Sequence, residues 1–138
     1  MAETDIAKAN PHWFEEPRLL SAPGQGAHPR GMAIDVTMVK SGTNEILDCG
    51  TAFDYLTPDP ANNPAERHHA HLSHEARANR QLLDDLMLGA AHHVGIPLHP
   101  LSTEWWDYRM PMGYWKDYAP LSDAELPEPI RMAAQAFS

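Results

Sequence analysis

One cysteine, Cys49, is all the chain of 138 residues contains, so no disulfide can form within it and the redox compartment is left open. No apolar run approaches the roughly 20 residues needed to cross a bilayer, so no membrane partner is expected. Basic residues are also scarce: 10 Lys plus Arg stand against 19 Asp plus Glu, a formal net charge of −9. A surface of that sign repels phosphates, which argues against nucleic acid as a partner. The start, Met1-Ala2-Glu3-Thr4-Asp5, has neither the basic residues nor the apolar stretch of an export signal, and a cytoplasmic location is the expectation.

What is present points to a folded, chemically active domain. With 43 % hydrophobic residues, a chain of this length can bury a core as a single domain over residues 1–138. Nine histidines are many beside ten Lys plus Arg, a compositional hint of metal or acid-base chemistry.

The stretch Ala27 to Met38 carries the densest signal. From Met32 onward Met32, Ile34, Val36 and Met38 alternate with Ala33, Asp35 and Thr37, the period of a half-buried strand with Asp35 on its more polar face. Gly31 permits a sharp turn before the strand, with Gly24 and Gly26 loosening the approach, so His28 can fold back towards Asp35. An imidazole and a carboxylate held together suit zinc. A loop histidine beside a hydrogen-bonded strand acid is the other reading of the same two residues.

The remaining chain supplies a scaffold and three further candidate regions. Asn10 to Phe14 is a turn with aromatic anchors, and Lys40 to Asn44 reads as a hairpin connection into a second strand, Glu45 to Cys49. Gly50 to Tyr55 comes next as a strand end or loop, with Asp54 between two aromatics; Thr57 to Pro64 is irregular. The histidines at 68, 69, 71 and 74 admit a second metal site or a solvated loop-to-helix junction. Ser73 caps a long helix ending near His92-His93 before Gly95 and Pro97, with Ala76, Asn79, Leu83, Leu86, Met87 and Ala90 as its buried stripe. Ser102 to Met110 reads as an aromatic strand, in which Glu104 and Asp107 face opposite ways unless a bulge or strand end intervenes. Beyond it Ser122 and Glu125 form a capping-box pattern, and Pro129 leads a short helix with Ile130, Ala133, Ala134 and Phe137 as its stripe.

Taken together, four segments resemble the D-alanyl-D-alanine dipeptidase family, zinc peptidases that share a fold with lysostaphin-type and Hedgehog-type domains. The pattern His-x-x-Gly-x-Ala-x-Asp is met by His28, Gly31, Ala33 and Asp35. Gly-Thr-x-Phe-Asp is met by Gly50, Thr51, Phe53 and Asp54. Asn-Arg-x-Leu-Leu is met by Asn79, Arg80, Leu82 and Leu83, and Glu-Trp-Trp by Glu104, Trp105 and Trp106. The resemblance covers roughly residues 26–110, leaving a C-terminal extension over 111–138. It implies an α+β fold, an antiparallel sheet with one long helix packed on it. It also implies a Zn2+ ion held by His28, Asp35 and the residue at 107, Glu104 as general base, and Asp54 as anchor for the free amine of a small peptide substrate.

The chain departs from the family pattern at two places. Where the family closes its Glu-x-x-His motif with histidine, this chain has Asp107. A second carboxylate lowers the formal charge of a zinc site from +1 to 0, which predicts weaker activity or an alkaline optimum. The family also carries a longer portion before its first motif, with an arginine that polarises the scissile carbonyl, whereas 27 residues precede His28 here and Arg18 is the candidate stand-in. Such a chain is a natural fragment or closes its core with its tail helix or a second subunit, so a homo-oligomer is one expectation. The first functional reading is zinc-dependent hydrolysis of a D-Ala-D-Ala-type dipeptide. Its rivals are a non-catalytic homologue serving as a binding module and, less consistent with the charge, a peptidase of crosslinked peptidoglycan. His71 and His99 are other candidates to complete the coordination sphere.

Overall fold

The computed structural model describes residues 8–15, 19–22 and 24–131. One long helix, α1 (His74–His93), accompanies a three-stranded antiparallel sheet of β1 (Ala33–Asp35), β2 (His99–Pro100) and β3 (Asp107–Arg109), in the order β1-β3-β2. The α+β expectation holds. Strands β1 and β3 are much shorter than their sequence patterns, at three residues each. The register sets Ala33 opposite Arg109, Ile34 opposite Tyr108 and Asp35 opposite Asp107.

Helix α1 starts where its capping chemistry dictates. Ser73 Oγ accepts from the Ala76 amide at 3.0 Å, Glu75 sits in the first turn, and His92 and His93 occupy the last, before Gly95 turns the chain with φ of 72°. Its buried stripe, however, is Ala76, Arg80, Leu83, Asp84 and Ala91, whereas Leu86 is 56 % exposed and Ala90 is exposed. Two charged residues take positions that apolar periodicity assigns to solvent. Burial of such groups demands hydrogen bonds, and both have them. Arg80 donates to the carbonyls of Cys49 at 2.7 Å and Pro64 at 2.9 Å, while Asp84 pairs with Arg67 and accepts from Tyr108 Oη at 2.6 Å.

Arg67, at 3 % exposure, ties the loop before α1 to the segment after β2. Its guanidinium donates to the carbonyls of Leu101, Glu104 and Asp107 at 2.9–3.0 Å, as well as pairing with Asp84. These bonds brace the segment from Leu101 to Asp107, and Ser102 to Trp106 is not the strand its aromatics suggest. Instead residues 104–107 turn, with the Asp107 amide 3.3 Å from the Glu104 carbonyl, and only Asp107–Arg109 pairs as strand. The turn buries Trp105 and Trp106 together, each 1 % exposed, in a core with Cys49, Ala65, Leu83 and Tyr108.

The first strand is likewise reduced. Val36 and Met38 pack against that core, but Ile34 on the edge strand is 53 % exposed. The hairpin after it forms, with the Lys40 amide on the Glu45 carbonyl and one bridge between Val39 and Ile46, but no strand extends over Glu45 to Cys49. Asp48 Oδ1 captures the Gly50 amide at 2.7 Å and bends the chain there. Gly50 has φ of 84°, and a Cβ on it would lie 2.9 Å from Leu72 Cδ2, so the motif glycine is fixed by close packing against the approach to α1. The turn near Trp13 is anchored by its indole on the Thr57 carbonyl at 2.9 Å. Ser122 and Glu125 make the reach-back half of the capping box, the Ser122 amide donating to Glu125 Oε2 at 2.7 Å. The tail stripe at Ala133, Ala134 and Phe137, and Arg18, lie outside the described residues. No helix among the described residues is long and apolar enough to cross a membrane.

Candidate metal centre

His28 opens a short 3-10 turn, His28–Arg30, that Gly31 closes in the left-handed region at φ 66°. The amides of Gly31 and Met32 return to the carbonyls of His28 and Ala27, so the chain reverses and enters β1 with His28 above it. Asp35 ends β1 and Asp107 begins β3, and the register makes them direct cross-strand neighbours. His28 Nε2 lies 3.2 Å from Asp107 Oδ2 and 3.5 Å from Asp35 Oδ1. One donor atom from each residue falls within 4.8 Å of the others, a grouping of three metal-capable side chains not repeated among the described residues. The histidines at 68, 69, 71 and 74 form no such group. His69 instead contacts Asn62 at 3.2 Å, and His99 lies exposed on β2.

Two carboxylates directly opposed on a sheet repel each other unless a cation lies between them. Asp35 Oδ1 is buried and accepts no hydrogen bond among the described residues, with His28 Nε2 3.5 Å away. An orphaned carboxylate oxygen, a second carboxylate and an imidazole are the donors that a divalent cation takes, so this set fits a metal.

The electrostatics reflect burial and pairing. Burial, aided by the charge of Asp107, raises the Asp35 pKa. Burial opposes ionisation of Asp107 too, but hydrogen bonds from His28 and Arg109 outweigh it and hold its pKa below the usual value. The same bond to Asp107 raises the His28 pKa. Glu104, three residues before Asp107, lines the same cavity because the 104–107 turn replaces a strand there. The intervening strand end that a shared site requires is thus present. Burial, reinforced by the charges of Asp107 and Asp35, pushes Glu104 up to about 7. Asp54, exposed and at φ 57°, stands on the cavity wall, its neighbour Phe53 packing 5.9 Å from the Trp106 ring. The cavity measures about 430 Å³.

One functional residue escaped the sequence reading. Arg109 donates Nε to Asp107 Oδ1 at 2.9 Å and Nη2 to Oδ2, gripping the carboxylate with both arms. It is the one arginine lining the cavity among the described residues. The replacement of histidine by Asp107 therefore comes with a guanidinium two residues on, and the pair is neutral, as an imidazole is. Residues i and i+2 of a strand share a face, so the spacing Asp107-x-Arg109 held the signal.

Comparison with known sequences adds two findings. A family described as D-ala-D-ala dipeptidase (Peptidase_M15) matches residues 4–121, extending beyond the 26–110 core on both sides. No curated protein matches the chain.

Proposed function

Because the chain belongs to the D-Ala-D-Ala dipeptidase family of peptidases, we propose that it hydrolyses a short peptide, most simply a D-Ala-D-Ala-type dipeptide, with zinc as its metal. His28, Asp35 and Asp107 would hold the ion, which supplies Lewis acidity and an acidified water when bound. The observation that carries this reading is the orphaned Asp35 oxygen facing Asp107 and His28, with Glu104 in the same cavity.

Each protein group then has a role set by its surroundings. Glu104, in the same cavity as the three ligands, would accept a proton as general base and return it as general acid. Asp54 on the wall receives the substrate's ammonium group. Arg109 holds Asp107 in one orientation through two bonds. The grip of Arg109 on Asp107 also favours a second reading, a binding module whose carboxylate is already neutralised.

Hydrolysis of D-Ala-D-Ala by the zinc-loaded protein separates the two. Turnover is expected in the parent, and Glu104→Gln should lower kcat by about 10²-fold or more while zinc content stays the same. A parent that binds zinc and dipeptide without cleaving it would be the binding module.

A further inference from the structure

Charge is segregated between two adjoining cavities. The metal-centre cavity is lined by four carboxylates, Asp35, Asp54, Glu104 and Asp107. A second cavity of about 700 Å³ is lined by Arg30, Arg109, Lys116 and His99 and, among the described residues, by no carboxylate. In a chain with 19 acids and 10 Lys plus Arg, a hollow so lined by cations runs against the composition. Arg109 lines both cavities and stands on the wall between them.

Two cations of the second cavity, Arg30 and Lys116, form no ion pair among the described residues. Arg30 is fixed by backbone carbonyls, Nη1 donating to Gly24 at 3.0 Å and Gly26 at 2.8 Å and Nε to Tyr118 at 2.8 Å, and it lies over the Trp115 ring at 5.7 Å. These bonds hold its geometry without an opposing charge. Lys116 is exposed and pairs with no acid among the described residues. Arg109 spends Nε and Nη2 on Asp107, and its Nη1 makes no hydrogen bond among the described residues.

We infer that the second cavity is the subsite for the anionic end of the substrate, the C-terminal carboxylate of the leaving residue, with Lys116 and Arg109 as its specificity-determining cations. The inference rests on the peptidase reading above. A peptide whose amine meets Asp54 and whose scissile carbonyl lies by Asp35 and Glu104 runs past Arg109, carboxylate first, into the cationic hollow. The reverse orientation sets carboxylate against Asp35, Asp54 and Glu104 and ammonium against Arg30 and Lys116. The segregation therefore selects one direction of binding by repulsion as well as attraction.

Equilibrium binding of D-Ala-D-Ala and of its C-terminal amide, to protein treated with chelator so that no turnover intervenes, tests the subsite directly. The parent is expected to bind the acid about tenfold more tightly than the amide, the scale of one charge-assisted contact. Lys116→Gln should cut that preference severalfold, and Lys116→Arg should restore it. Equal affinity for acid and amide in the parent, or a preference unchanged in Lys116→Gln, overturns the proposal. An acid preference in a protein that never cleaves the dipeptide with zinc sinks the peptidase reading and leaves the anion subsite standing. Cleavage without an acid preference does the reverse.

Discussion

Glu104 is the residue whose behaviour most depends on what occupies the space beside it. Without a cation, burial and the neighbouring Asp107 and Asp35 raise it from an ordinary 4.5 to about 7. A divalent ion between those two carboxylates replaces repulsion by attraction and must lower it. NMR titration of the Glu104 side chain in metal-free protein should give a midpoint near 7, falling by at least about one unit when zinc is added. A midpoint near 4.5 that zinc does not move would remove Glu104 from the site. The sign carries over to stability. A carboxyl whose folded pKa is raised binds more protons folded than unfolded between 4.5 and about 7, so across that window its contribution falls as pH rises. Metal binding releases that proton and should tighten with pH over the same range.

Among the elements, α1 and the loop before it position the site through the buried Arg67, Asp84 and Tyr108. Arg67 holds the Glu104 and Asp107 carbonyls at 3.0 and 2.9 Å, and Asp84 neutralises Arg67 from the helix. Removing one partner of such a pair leaves an uncompensated buried charge. Asp84→Asn is therefore expected to destabilise the fold by about 3–5 kcal/mol in urea unfolding, a large share of a typical 5–15 kcal/mol. A loss below roughly 1 kcal/mol, the scale of an exposed pair, would mean that Arg67 is solvated. The same trio explains what the sequence could reveal. Ser73, Gly95 and Pro97 act on their immediate neighbours, so the bounds of α1 were legible. Arg80 and Asp84 are buried by partners 14–31 and 17–24 residues away, which no helical period encodes. Strand lengths were not legible either, because the chain turns over residues 104–107 and leaves only Asp107–Arg109 in the ladder. His28, Asp35 and Asp107 were legible because a glycine turn and a spaced motif are local features, and the sheet register then sets Asp35 against Asp107.

For the whole molecule, the fold brings three segments far apart in sequence into one acidic cavity and places a cationic one beside it. An overall charge of −9 hides that division, because the acids outside the cavities dominate the sum. The proposed hydrolysis depends on the His28, Asp35 and Asp107 group accepting a divalent ion despite the hold of Arg109 on Asp107. The direct measurement is zinc per chain after dialysis against metal-buffered solution, for the parent, His28→Ala and Asp107→Asn, with thermal unfolding to establish that each variant folds. One zinc per parent chain and loss of it in both folded variants is the predicted result. A parent that comes out empty, or folded variants that keep their zinc, would contradict the metal centre.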